Sequence, residues 1–103
     1  MAELTGKWAI TVHTFMGDQR STHDIKVDGN TVSGTITDGG NGSQVEFTGG
    51  TTDGTNYSYE FVIKAAIGKM KFKMDGALQE DGTLKGVSAN AMGKFDYDGV
   101  RAE

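Results

Sequence analysis

The chain contains no cysteine and no proline, and its 103 residues include one tryptophan and two histidines. Without cysteine there is no disulfide framework, no thiolate metal site and no thiol nucleophile. Such a chain fits a reducing, cytoplasmic setting. No stretch approaches the roughly 20 apolar residues of a membrane-spanning helix. The opening residues, MAELTGKW, lack a charged leader followed by an apolar run, so no signal peptide is expected. A formal net charge of −4 argues against nucleic acid as the main partner, because phosphate binding needs a basic surface or stripe. For nucleophilic chemistry there is no Gly-x-Ser-x-Gly elbow, and the inward-facing Ser21 and Ser88 form no recognisable triad. Glu46 and Glu60 fall on solvent-facing positions, which leaves no buried carboxylate pair.

What is present is alternation. Trp8, Ile10 and Val12 alternate with Lys7, Ala9, Thr11 and His13, and Ile25 and Val27 alternate with Asp24 and Lys26. The pattern continues through Val32, Gly34 and Ile36, then Val45 and Phe47. Tyr57, Tyr59, Phe61 and Ile63 make the longest apolar face. Met70, Phe72 and Met74 alternate with Lys69, Lys71 and Lys73, and Leu84, Phe95 and Tyr97 lead the last strands. A period of two marks strands. About eight strands joined by short connections predict an all-β fold, an eight-stranded antiparallel up-and-down barrel formed by one domain over 1–103. A sandwich is the rival, disfavoured because short connections pair sequential neighbours. Glycines 34, 76, 86 and 99 lie inside strands, where they predict bends or close backbone approach.

The turns fall into two sets. Asp28-Gly29, Asp53-Gly54 and Asp81-Gly82 read as tight hairpin turns at one end. The alternate connections hold Met16, Ala65, Ala66, Ile67 and Met92. Apolar residues in exposed loops need a reason. The expectation is a sealed acidic end and an open apolar end.

LTGKW (Leu4 to Trp8) on the first strand and GVRA (Gly99 to Ala102) on the last resemble the calycins, the group of lipocalins, fatty-acid-binding proteins and avidins. GKW, MGDQ, DGNTVSGT and a closing F-x-Y-x-G-x-R are also similar to small uncharacterised bacterial barrel domains, some of them appended to hydrolases. The resemblance implies that Trp8 plugs the closed end with Arg101 stacked across it, a structural role. The chain is shorter than a typical lipocalin, which implies a smaller cavity, and it lacks the further tryptophans of an avidin-type biotin pocket.

The histidines follow from the strand register. Pairing the first two strands around MGDQ sets Trp8 near Val27, Ile10 near Ile25 and Val12 near His23. His23 then points inward and His13 outward near Thr22, so no shared metal site is expected. His23 is a candidate polar anchor or general acid–base group, or else a structural histidine bonded to a neighbouring hydroxyl. Tyr59 is its candidate partner at mid-barrel, while Tyr57 and Tyr97 lie nearer the sealed end. Asp38 to Gln44 (DGGNGSQ) resembles part of a calcium repeat but lacks stacked copies, and the lysine stripe at 69, 71 and 73 reads as a solvated edge with Glu60 opposite Lys73.

The expected function is binding of a small, mostly apolar ligand. It would enter by Met16, Ile67 and Met92 and pack on Phe61, Ile63, Met70, Phe72 and Phe95, with His23 and Tyr59 as polar contacts. No cofactor is implied. The alternatives are a cofactor-free isomerase or cyclase using His23 and Tyr59, and an oligomerisation or docking module, such as a homodimer, using the apolar loop tips.

Overall fold

The computed structural model describes residues 4–15, 17–39, 42–65, 68–91 and 93–102, with the side chains of 64 and 65 outside the description. Strands β1 (Gly6–Thr14), β2 (Gly17–Asp28), β3 (Thr31–Asp38), β4 (Gln44–Thr52), β5 (Asn56–Ala65), β6 (Gly68–Leu78), β7 (Leu84–Asn90) and β8 (Gly93–Arg101) follow one another around a closed barrel. All neighbours are antiparallel, including β8 against β1, which closes the sheet. The architecture is all-β, as the alternation predicts, and it is consistent with a calycin-like barrel. No helix among the described residues is long and apolar enough to cross a membrane.

The inward faces are the predicted ones. Trp8, Ile10, Ile25, Val32, Phe47, Tyr57, Tyr59, Phe61, Met74, Leu84 and Tyr97 are buried together with His23 and Ser88. The register of β1 on β2 differs from the expected one. Trp8 pairs with His23, Ile10 with Ser21 and Val12 with Gln19. The hairpin closes between Thr14 and Gly17, with Gly17 at φ 113°, rather than around MGDQ. A positive φ at that position suits glycine, so the turn forms earlier in the chain and β2 slides by four residues. The slide is even, so each side chain keeps its face. His13 therefore stays outside, but opposite Asp18 rather than Thr22.

Between β3 and β4 the register shifts, pairing Val32 with Gly50 but Gly34 with Phe47. Gly49 at φ 77° sits within this irregularity, as a glycine bulge requires. The extra residue lets Val45 and Phe47 face the interior alongside Gly50 and Thr52. After it β4 pairs with β5 at Thr51–Ser58 and Thr52–Tyr57, and before it, among the described residues, no such pairs form.

Gly76 and Gly86 face each other across β6 and β7. A Cβ on Gly86 would meet the Asp75 carbonyl, the Gly76 Cα and the Tyr97 hydroxyl, and one on Gly76 would meet the Tyr57 and Tyr97 hydroxyls. These glycines make room for the hydrogen bond between the Tyr57 and Tyr97 hydroxyls at 2.6 Å. Burial raises both phenols, Tyr57 to about 12, so both stay neutral and one donates to the other. Gly86→Ala is expected to cost about 2–3 kcal/mol, because the backbone of β6 cannot move without opening the sheet. A urea midpoint unchanged by this substitution would contradict the close approach.

Candidate functional site

The barrel interior divides into two halves. Toward the start of β1, Trp8, Ile10, Ile25, Val32 and Leu84 are all 0% exposed. Trp8 Nε1 donates to the Leu4 carbonyl at 2.8 Å, and the Arg101 guanidinium lies 4.2 Å from the indole centroid. Arg101 also donates to the Thr5 carbonyl at 2.7 Å. The indole is buried as expected, whereas Arg101 stays exposed and covers it from outside.

Toward the hairpin end at Thr14–Gly17 the inward side chains Val12, Val45, Ile63, Met70, Phe72 and Phe95 are only half-buried. They line a cavity of about 920 Å³ together with Phe61, Met74, Ser21, His23 and Ser88. Their partial exposure beside this cavity sets this half apart from the fully buried half around Trp8. Val62, on the outer face of β5, also reaches this lining where β4 and β5 part.

Of the sequence candidates, His23, Phe61, Ile63, Met70, Phe72 and Phe95 converge on this cavity. Tyr59 does not line it. It is 1% exposed and stands behind His23. Met16, Ile67 and Met92 lie outside the described residues. The sequence reading passed over Phe15, which is 72% exposed, lines the cavity and pairs with Phe95 at 6.1 Å between ring centroids. Its signal was available, an apolar residue in the same FMGD connection as Met16.

His23 is the polar centre of the wall. Its Nδ1 is 2.6 Å from the Tyr59 hydroxyl and its Nε2 is 2.9 Å from Ser21 Oγ. The rings of Tyr59 and Phe61 stand edge-on to it at 5.9 Å each. Tyr59 stacks on Phe47 at 4.3 Å, and Phe61 on Phe72 at 5.3 Å. This aromatic surround excludes water from the imidazole, and desolvation lowers its pKa from 6.5 to about 3. Burial likewise pushes the Tyr59 phenol well above its usual range. Near neutral pH the trio is uncharged.

His13 is set apart from this site. It is exposed and bridges Asp18 Oδ1 at 3.0 Å and Asp98 Oδ2 at 2.8 Å. The bond to Asp98, then that to Asp18, raises its pKa. It ties β2 and β8 to β1 on the outer surface, so the two histidines do not meet. At the other end, a shallow depression of about 680 Å³ lies over Asn30, Asp53 and Asn56. Asp53 Oδ1 there accepts from the Thr55 and Asn56 amides at 2.9 and 2.8 Å, which makes it a turn residue.

Fold and site together give a closed eight-stranded antiparallel barrel with a cavity at its Thr14–Gly17 end, lined by apolar and polar side chains, and the hydrogen-bonded Ser21, His23 and Tyr59 in its wall. Compared with known proteins, the chain matches no family model, no curated protein and no solved structure.

Proposed function

We propose that the barrel is a calycin-like binding module that holds one small, mostly apolar ligand in the cavity beneath Phe15. The carrying observation is the contrast between the fully buried half around Trp8 and the half-buried apolar side chains around Phe72. A volume of about 920 Å³ falls within the few hundred to about 1,000 Å³ of small-molecule sites. Phe15 marks the mouth, together with the expected contributions of Met16, Ile67 and Met92. Binding is favoured over catalysis because desolvation weakens His23 as a base, leaving it suited to hydrogen bonding rather than proton abstraction. The absence of cysteine leaves the barrel independent of disulfides and suited to the cytoplasm.

N-phenyl-1-naphthylamine, an apolar fluorophore, tests the reading by titration. The wild-type protein is expected to bind one equivalent. Val45→Trp, which places an indole in the cavity, should weaken binding at least about tenfold, the effect of roughly 1.4 kcal/mol. Val100→Trp, on the outer surface, should leave binding unchanged. Equal affinity in all three proteins would place the probe outside the barrel and reject the proposal.

A further inference from the structure

The expected polar contact, His23, has both ring nitrogens engaged, one by Tyr59 and one by Ser21. A neutral imidazole has one N–H donor and one acceptor nitrogen, so the chain Ser21–His23–Tyr59 runs in one of two senses. In the first, the Tyr59 hydroxyl donates to Nδ1 and Nε2–H donates to Ser21 Oγ. In the second, the Ser21 hydroxyl donates to Nε2 and Nδ1–H donates to Tyr59.

The surroundings of Tyr59 decide between them. Its ring and hydroxyl are buried among Phe47, Tyr57 and Phe61, and among the described residues its hydroxyl bonds only His23. In the second sense the phenol hydrogen would find no acceptor among the described residues, the cost of an unmade buried hydrogen bond. The first sense spends that hydrogen on Nδ1. The phenol is also the most acidic donor of the three, so it forms the stronger bond to an imidazole nitrogen. Burial keeps His23 neutral, which the relay requires.

In this sense Ser21 accepts from His23 and retains its own O–H. Ser21 is half-buried and lines the cavity. We infer that the Ser21 hydroxyl, rather than His23, is the polar contact of the ligand and serves it as a hydrogen-bond donor. The ligand class is then a neutral apolar molecule bearing an acceptor, such as a ketone, ester or amide carbonyl. Among the described residues the charged side chains of the lining are Arg20 and Asp38, one of each sign, so the lining selects neither anion nor cation. This inference rests on the ligand-binding reading above and adds to it the donor, its direction and the matching chemistry.

The test uses two probes and the whole chain. One is 6-propionyl-2-(dimethylamino)naphthalene, a ketone whose emission moves to the red when its carbonyl accepts a hydrogen bond. The other is N-phenyl-1-naphthylamine, which has no carbonyl. Ser21→Ala is expected to weaken ketone binding about fivefold, the size of one net hydrogen bond, and to shift its bound emission to the blue. The affinity of N-phenyl-1-naphthylamine should stay the same. Long-range proton–nitrogen NMR of the wild-type protein reads the relay without any substitution, and it should find the His23 proton on Nε2. If neither probe binds the wild-type protein, the ligand-binding reading fails and this inference with it. If N-phenyl-1-naphthylamine binds but Ser21→Ala leaves ketone affinity and emission unchanged, the Ser21 contact alone is overturned. A proton on His23 Nδ1 would overturn the donor assignment.

Discussion

Between pH 8 and pH 5 the protein is expected to lose about 2 kcal/mol of stability through His23 alone. The folded-state pKa of His23 lies near 3, below the 6.5 of the unfolded chain, because burial against Tyr59 and Phe61 desolvates the ring. As pH falls below 6.5 the unfolded state takes up a proton that the folded state refuses, so stability declines. The decline continues toward pH 3 and totals about 5 kcal/mol, at about 1.4 kcal/mol for each unit of pKa difference. His13 opposes this. Its folded pKa is raised, so its contribution is present at low pH and fades as pH rises through that value. Its exposure to solvent keeps that contribution small. The lowered carboxyls of Asp53, Glu60 and Asp81 contribute above their ordinary pKa values and are lost only as pH falls through their lowered ones. Among the described residues, the shifts named here that act between pH 6.5 and about 4.5 are those of the two histidines. Urea denaturation in a His13→Asn background should show the decline, and His23→Leu should flatten it. A flat profile with His23 present would mean that water reaches the imidazole.

Trp8→Ala is expected to cost about 3–5 kcal/mol, enough to unfold much of a small domain's population. The indole is fully buried, holds the Leu4 carbonyl through Nε1 and carries Arg101 on its face. Removing it leaves a void where the strands around β1 converge and strips the guanidinium of its platform. Trp8→Phe retains most of the apolar volume and should cost about 1–2 kcal/mol. Trp8 does not line the cavity, so Trp8→Phe should bind N-phenyl-1-naphthylamine with the affinity of the wild-type protein. Urea midpoints give the stability, and titration of the folded variant gives the affinity. A Trp8→Phe protein that folds but loses the probe would mean that the two halves of the barrel are one functional unit.

The two substitutable centres, Trp8 and His23, were legible to different depths. A period of two in a sheet distinguishes faces, and the faces of both residues were read correctly. The same period cannot distinguish registers that differ by an even number of residues. Val12 opposite His23 and Trp8 opposite His23 satisfy the apolar pattern equally well, and the turn conformation at Gly17 chooses between them. The Ser21–His23 contact is independent of that register, and a histidine bonded to a neighbouring hydroxyl was already one of the sequence expectations, without Ser21 being singled out. That contact is between residues two apart on one strand, inside a barrel whose curvature brings their side chains together. Alternation likewise separates inside from outside without saying whether the inside is filled. Phe72 and Leu84 look alike in the sequence, yet the first is half-buried and the second fully buried. The difference depends on where β4 leaves β5 and on which residues occupy the opposite wall, both long-range properties of the closed sheet.

The occupancy of the hollow half can be observed directly by intermolecular nuclear Overhauser effects from N-phenyl-1-naphthylamine bound to isotopically labelled protein. Cross-peaks are expected to Phe61, Ile63, Phe72 and Phe95, with none to Trp8 or Val100. Cross-peaks confined to the outer-surface Val100, or none at all under saturating probe, would contradict a ligand-binding barrel.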